Sequence, residues 1–198
     1  LKLKNELEKI YSNHEHYQKA LEIVRNNSSG TIWLVGGYLY KTLAHILYGT
    51  KNQTKDFDFI VEQQKDILRL PAGVSMSPNS FGNPKIKIKD FEIDYLPLAK
   101  SRYPHLDCHS IEEFLDDTPL NVQSLCYQIS KNGNSLFGDI GLSALENRVV
   151  KINNLNSAIF LANRIDRYEG NIVNLLMERA NQLEFNYDAT EIVKPTTL

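Results

Sequence analysis

Two carboxylates, Asp56 and Asp58, stand one residue apart in the segment DFDFIVE, where polar and apolar residues alternate. Such alternation predicts a β-strand, and residues two apart on a strand point to the same face. Carboxylates so placed repel each other unless a cation or a basic group lies between them. Mg²⁺ prefers oxygen ligands and is commonly held by one or two carboxylates together with substrate phosphates. The pair is therefore a candidate Mg²⁺ or Mn²⁺ site; its plain alternative is the solvated edge of a strand.

A third carboxylate, Asp94, lies in the segment FEIDYLPL, where Ile93 and Tyr95 face away from it on an alternating strand. If this strand lies beside DFDFIVE, Asp94 can share metal ions with Asp56 and Asp58. Two metal ions would hold the attacking and leaving oxygens of a phosphoryl displacement. The alternative is that Asp94 faces solvent on an exposed sheet.

A glycine pair, Gly36-Gly37, separates the apolar strand TIWLV from the predicted helix YLYKTLAHILYG. Backbone N–H groups at the start of a helix can approach a phosphate closely where side chains are absent. Lys41, in the first turn, would add a positive charge, so these residues form a candidate phosphate cradle. The pair can equally be a tight turn. Four basic residues are also explained as surface charges: Lys41, Lys55, Arg164 and Arg167.

Helices and hairpins must position these groups. Residues 2–26 are predicted to be helical with a break near Ser12, because Ser12 and Glu15 fit a capping box. The segment KIKIKDFEIDYLPL predicts a hairpin that turns at Lys89-Asp90. NVQSLCYQIS and LFGD predict a second hairpin.

The C-terminal half is mainly helical. Ser110 and Glu113 form another capping box and predict a short helix over SIEEFLDD. GLSALENRVVKI predicts a helix followed by a short strand, and residues 157–185 predict helices interrupted near Gly170. The whole order indicates an α+β fold with a mixed, antiparallel-rich sheet flanked by helices. The expected divisions are a helical segment at 1–28, a core at 29–153, C-terminal helices at 154–188 and a flexible tail at 189–198.

Composition excludes several classes of function. The chain has 198 residues and a formal net charge of -2, which disfavours binding to nucleic acid by bulk charge. No apolar run approaches the roughly 18 residues of a membrane span, and two cysteines make no disulfide framework, so a cytoplasmic setting is expected. A zinc site at His105, Cys108 and His109 is disfavoured, because this segment reads as a loop entering a helix and no second ligand pair is present.

The segment VGGYLYKTLAHILYG…KDFDFIV resembles the head domain of the poly(A) polymerase and CCA-adding branch of the polymerase-β-like nucleotidyltransferase superfamily. In that family Gly-Gly opens a helix that ends in Gly, and Asp-x-Asp follows on a strand. NVQSLCYQIS…LFGDIGLSALENRVVKI is similar to a later family segment, in which an Asn-led strand precedes a Gly-rich turn. The resemblance covers roughly residues 31–152.

The resemblance implies a nucleotidyltransferase-like fold, an NTP substrate such as ATP, and dependence on Mg²⁺ or Mn²⁺. It implies that NMP is transferred to an acceptor hydroxyl with release of pyrophosphate. It assigns Asp56, Asp58 and Asp94 to metal binding and catalysis, and Gly36, Gly37 and Asn121 to the nucleotide.

Three family features differ. Tyr40-Lys41 stands where the family usually has Arg-Asp, DDTPLNV replaces an Arg-Arg-Asp segment, and the base-reading motif of an acidic pair followed by Arg is missing. The differences disfavour CCA addition and favour an acceptor such as an RNA end, a protein hydroxyl or a small molecule. Two further hypotheses stay open. One is a non-catalytic nucleotide-binding or regulatory module of the same fold. The other, suggested only by the resemblance, is an interaction partner in a defence or toxin–antitoxin pair.

Overall fold

A mixed β-sheet forms the centre of the computed structural model, which describes residues 2–52, 54–79, 82–101, 107–190 and 192. Its strands are β1 (Ser28–Val35), β2 (Asp56–Gln64), β3 (Ser75–Pro78), β4 (Pro84–Ile88), β5 (Phe91–Pro97), β6 (Cys126–Ile129) and β7 (Ser135–Phe137). Their order across the sheet is β3-β4-β5-β2-β1-β6-β7. β2 and β5 pair in parallel, and the other pairs are antiparallel. The predicted α+β fold with an antiparallel-rich sheet is confirmed.

Helices flank this sheet and follow it along the chain. They are α1 (Lys2–Asn13), α2 (Glu15–Asn27), α3 (Gly36–Tyr48), α4 (Ile111–Asp116), α5 (Asp139–Asn147), α6 (Leu155–Arg164) and α7 (Ile172–Leu183). Both predicted hairpins form, as β4–β5 and β6–β7. β8 (Val149–Lys151) pairs in parallel with β9 (Asn186–Asp188), a strand that the sequence pattern did not predict. Most of the predicted flexible tail, 189–198, lies outside the described residues.

The core explains the alternation in β2. Phe57 and Phe59 are fully buried, and Phe57 packs edge-on against Tyr38 of α3, with ring centroids 4.6 Å apart. The opposite face of β2 carries Asp56, Asp58 and then buried Ile60, which belongs to a second apolar cluster under α4. The carboxylates therefore occupy the part of that face where the apolar cover stops. No helix in the described ranges is both long and apolar enough to cross a membrane.

The break between α1 and α2 lies at His14, near Ser12 as predicted, but the cap of α2 is His14 and not Ser12. The Nδ1 atom of His14 accepts a hydrogen bond from the backbone N–H of Tyr17 at 3.1 Å and so caps α2. The ring also packs edge-on against Tyr38 and Phe57. Ser12 instead donates to the carbonyl of Lys9. A capping box depends only on neighbouring residues. Here the tertiary contacts of the His14 ring determine which residue caps α2.

Acid is expected to destabilise the protein through His14. Burial, and then the charge of His16, lowers the pKa of His14, and only the uncharged ring can accept the Tyr17 N–H. Because the unfolded chain takes up the proton first, stability is lost as pH falls below about 6.5. We expect His14→Asn, which keeps a cap, to reduce this loss in urea unfolding at about pH 5 and about pH 7.5. Exposed His109→Asn is the control; equal pH dependence in all three proteins would contradict the assignment.

Candidate active site

The three predicted carboxylates meet beside the parallel pair β2–β5. Its register places Asp58 next to Asp94, and Asp56 next to Glu92. Asp56 is exposed at the rim, whereas Asp58 and Asp94 are half-buried. All three aspartates line a cavity of about 390 Å³, which is in the size range of small-molecule sites. The structure therefore brings together the residues that the sequence predicted to act together.

Asp58 and the glycine pair form one local structure. Gly36 has a φ of +71°, and a Cβ atom there would overlap the Asp58 carboxylate. The backbone amide of Gly37 acts on the same carboxylate and lowers its pKa. Glycine alone allows both the left-handed backbone and the close approach. This contact explains why Gly-Gly precedes Asp-x-Asp, and both glycines also line the cavity.

Nearby positive charge does not offset the burial of Asp56 and Asp58. Burial raises the pKa of Asp58 to about 7, the charges of Asp94 and Asp56 act in the same direction, and the Gly37 N–H opposes them. Partial loss of solvent also raises the pKa of Asp56, against the effect of Lys85. Carboxylates in this state are stabilised in their charged form by a nearby cation.

Asp94 is engaged by protein groups. Its carboxylate accepts a hydrogen bond from Asn79 at 2.9 Å and lies 3.4 Å from the ammonium of Lys85. Across the described ranges, no three His, Cys, Asp or Glu side chains are grouped closely enough to hold a metal ion. Asp56 and Asp58 still fit Mg²⁺ or Mn²⁺, because such ions take their other ligands from water and substrate phosphates. Asp94 as a metal ligand stays a prediction.

Basic side chains line the same cavity as the carboxylates, and the sequence pattern had indicated only some of them. Lys41 lines the cavity as predicted, and burial, followed by the charge of Arg179, lowers its pKa. Arg167, interpreted from sequence as a surface charge, also lines the cavity, as do Arg179 and Gln182 of α7. Nothing in the local sequence distinguishes Arg179 from a solvated helix charge. The packing of α7 against the core is what turns it inward.

Asn121 does not line the cavity, in contrast to the nucleotide-binding role predicted for it. It begins a short 3₁₀ turn, where a strand was predicted, and its side chain is buried. Its amide donates to the carbonyl of Val149, and its oxygen accepts the N–H groups of Val122 and Lys151. The side chain therefore ties this turn to β8. Gln123 is the residue of the turn that reaches the cavity.

Replacing Asn121 is expected to weaken the fold more than nucleotide binding. Asn121→Ala would leave the N–H of Lys151 and the carbonyl of Val149 without their partner, at a cost of about 2–3 kcal/mol. We expect a matching fall in the free energy of urea unfolding and, below the transition, ATP affinity within about threefold of wild type by calorimetry. An unchanged stability with a large loss of affinity would restore the nucleotide role.

The zinc site considered at His105, Cys108 and His109 lies partly outside the described residues. His105 lies outside the described residues, so its position relative to the other two candidates is not part of the structure. Cys108 is buried, and its Sγ atom donates to the carbonyl of Ser110 at 3.2 Å. Ser110 in turn caps α4 by accepting the N–H of Glu113, as the sequence predicted.

No protein-family model and no curated protein sequence matches the chain. Solved structures do match it. A structure titled tRNA-processing enzyme (apo form I) superposes with a TM-score of 0.53 at 21% identity, over 87% of this chain and 43% of that chain. The chain has the fold of a nucleotidyltransferase head domain. The resemblance stated from sequence is thereby confirmed at the level of fold.

Two further structures share this head-domain fold. CCA-adding enzyme in complex with ATP superposes with a TM-score of 0.51 at 18% identity, over 87% of this chain and 37% of that chain. The complex of CCA-adding enzyme with CTP gives a TM-score of 0.51 at 19% identity, over 81% of this chain and 37% of that chain. The present chain thus spans about two-fifths of the length of the enzymes it resembles.

Proposed function

We propose that this protein is a metal-dependent nucleotidyltransferase that transfers NMP from an NTP to an acceptor hydroxyl and releases pyrophosphate. The observation that carries the proposal is one cavity lined both by Asp56, Asp58 and Asp94 and by the basic side chains of Lys41, Arg167 and Arg179. An NTP bound to Mg²⁺ has a matching distribution of charge. The structures titled as complexes with ATP and CTP, which share the fold, support the same substrate class.

Each part of the cavity has a distinct role in this proposal. Asp56 and Asp58 would hold Mg²⁺ or Mn²⁺, which supplies neutralisation of the charge that develops on the phosphates. The glycine turn holds Asp58 in place, and Lys41 contributes positive charge for the triphosphate. Asp94 lies at the same level of the sheet as Asp58, where it can accept the proton of the acceptor hydroxyl.

Apolar and hydrogen-bonding groups in the same cavity suit a nucleobase, which stacks on one face and is held at its edge. Lining residues of these two kinds are Phe114, Thr118, Pro119, Gln123, Leu161 and Ile165.

Label transfer tests the proposal directly. The protein is incubated with each α-labelled NTP, with Mg²⁺ or Mn²⁺, and with RNA, protein and small-molecule fractions of a cell extract. We expect the label in one fraction, which names the acceptor class, and its loss in the Asp56→Asn/Asp58→Asn double variant. Exposed Asp66→Asn, outside the cavity, is the matched control. Transfer that persists in the double variant would overturn the mechanism.

The second candidate function is that of a module that binds nucleotides but does not catalyse their transfer. The contacts of Asp94 with Lys85 and Asn79 favour it, because they engage the carboxylate that would otherwise serve the acceptor. This candidate predicts NTP binding by calorimetry without release of pyrophosphate in the presence of every acceptor fraction. Pyrophosphate release that depends on Asp94 would remove it.

A further inference from the structure

Two buried hydrogen-bond donors of residues that line the cavity lack partners among the described residues. The hydroxyl of Tyr40 and the Nε atom of Arg179 have no hydrogen-bond partner among the described residues. Tyr40 is 1% exposed, and both residues line the cavity. A buried donor left without an acceptor is costly, so such a group in a pocket is available to donate to a bound ligand.

The two donors lie together at the start of α3. A Cβ atom on Gly37 would be 3.6 Å from the Tyr40 hydroxyl, which places that hydroxyl beside the first turn of the helix. The guanidinium carbon of Arg179 lies 5.6 Å from the centre of the Tyr40 ring. Attraction between the Arg179 guanidinium and the face of the Tyr40 ring holds the two side chains next to each other.

The rest of the guanidinium is held by its own helix. Arg179 donates through Nη1 to Gln182 at 2.9 Å, and Gln182 donates to Glu178 at 2.7 Å. Glu178 also accepts Arg167 Nε at 2.8 Å. This chain of contacts positions the Arg179 fork while its Nε–H stays unpartnered.

We propose that Tyr40 and Arg179 form a phosphate subsite, together with the first turn of α3, for the triphosphate tail of the nucleotide. The inference rests on the proposed function and extends it to a donor from α7. Arg179 brings a guanidinium to the Tyr40 ring from a distant part of the chain. Phosphate oxygens would accept from both donors, and charge-assisted bonds of this kind are the stronger class.

The ionisation of Tyr40 is consistent with the role of a donor. Burial raises the pKa of Tyr40 to about 12, while the charge of Arg179 acts in the opposite direction. The hydroxyl therefore keeps its proton at neutral pH and can donate it to a phosphate oxygen. The start of a helix adds backbone dipoles that favour an anion at the same position.

Calorimetry with inorganic tripolyphosphate in EDTA tests the subsite apart from any metal ion. We expect Arg179→Gln to weaken tripolyphosphate binding about 10–100-fold and Tyr40→Phe about 3–10-fold. Exposed Arg25→Gln is the control for loss of one charge. Tyr11→Phe is the control for Tyr40, because the Tyr11 hydroxyl is also buried without a partner but lies outside the cavity. Both controls should bind as wild type.

The outcomes separate the subsite from the enzyme. Loss of tripolyphosphate binding in Arg179→Gln and Tyr40→Phe, with intact thermal unfolding, supports the subsite even if no transfer activity is found. Wild-type affinity for tripolyphosphate in both variants overturns the subsite and leaves the nucleotidyltransferase proposal standing if transfer persists. A wild-type protein that binds neither tripolyphosphate nor any NTP overturns both.

Discussion

Asp58→Asn is expected to abolish nucleotidyl transfer and, at the same time, to make the metal-free protein more stable at neutral pH. The variant keeps the shape of the side chain and removes the charge that would hold the metal ion. Loss of a group that stabilises transition-state charge typically costs about 10³-fold in rate. Label transfer measures this loss, and Asp66→Asn should transfer as wild type.

The gain in stability follows from the ionisation of the carboxyl group. The folded pKa of Asp58 is about 7, above the ordinary value of 3.8. The folded state therefore binds the proton more tightly than the unfolded chain, and wild-type stability falls as pH rises from about 4 to about 7. Asp58→Asn lacks this loss, so above pH 7 it should be more stable by on the order of 2–4 kcal/mol. Urea unfolding in EDTA at about pH 5 and about pH 8 measures the difference.

A divalent cation should act in the opposite sense. If Asp56 and Asp58 hold Mn²⁺ as proposed, Mn²⁺ should raise the Tm of the wild type and of Asp66→Asn but not that of Asp58→Asn. A Tm shift of equal size in all three proteins would place the metal elsewhere. An Asp58→Asn protein less stable than the wild type at about pH 8 would show that the carboxylate has a structural role.

Gly36→Ala is expected to damage both the fold and the site. A methyl group would enter the space of the Asp58 carboxylate, and the backbone would be held at a φ of +71°. Backbone strain and overlap together should cost about 2–4 kcal/mol. Even a small shift of the Asp58 carboxylate from its position should lower the rate of transfer about 10²-fold. Denaturant unfolding and label transfer measure the two effects.

Gly37→Ala is a control, because it is expected to change the stability in the opposite direction to Gly36→Ala. A Cβ atom on Gly37 meets only the Tyr40 ring end, at an ordinary contact distance of 3.6 Å. Gly37→Ala keeps the backbone amide that lowers the pKa of Asp58. It also replaces glycine in a helix, which favours the fold by up to about 1 kcal/mol. If Gly36→Ala were as stable as Gly37→Ala, the close approach of Asp58 to the turn would be wrong.

Local signals in the sequence predicted much of the framework. The alternation in DFDFIVE and the turn at Lys89-Asp90 predicted β2 and the β4–β5 hairpin, and the Ser110 capping box predicted α4. The same signal failed at Ser12, because the cap there is His14, whose ring packs against α3 and β2. A cap motif describes a few neighbouring residues, whereas the position of an imidazole in a core depends on elements distant in sequence.

The sequence by itself determined which residues could bind a metal ion and that a glycine turn precedes them. Tertiary structure alone decided that Asp94 lies beside Asp58, through the parallel pairing of β2 and β5. It also turned Arg179 into the cavity and committed the Asn121 amide to β8. The physical reason is range: side-chain periodicity and turn chemistry act over a few residues, but strand pairing and helix packing join residues that the chain order keeps far apart.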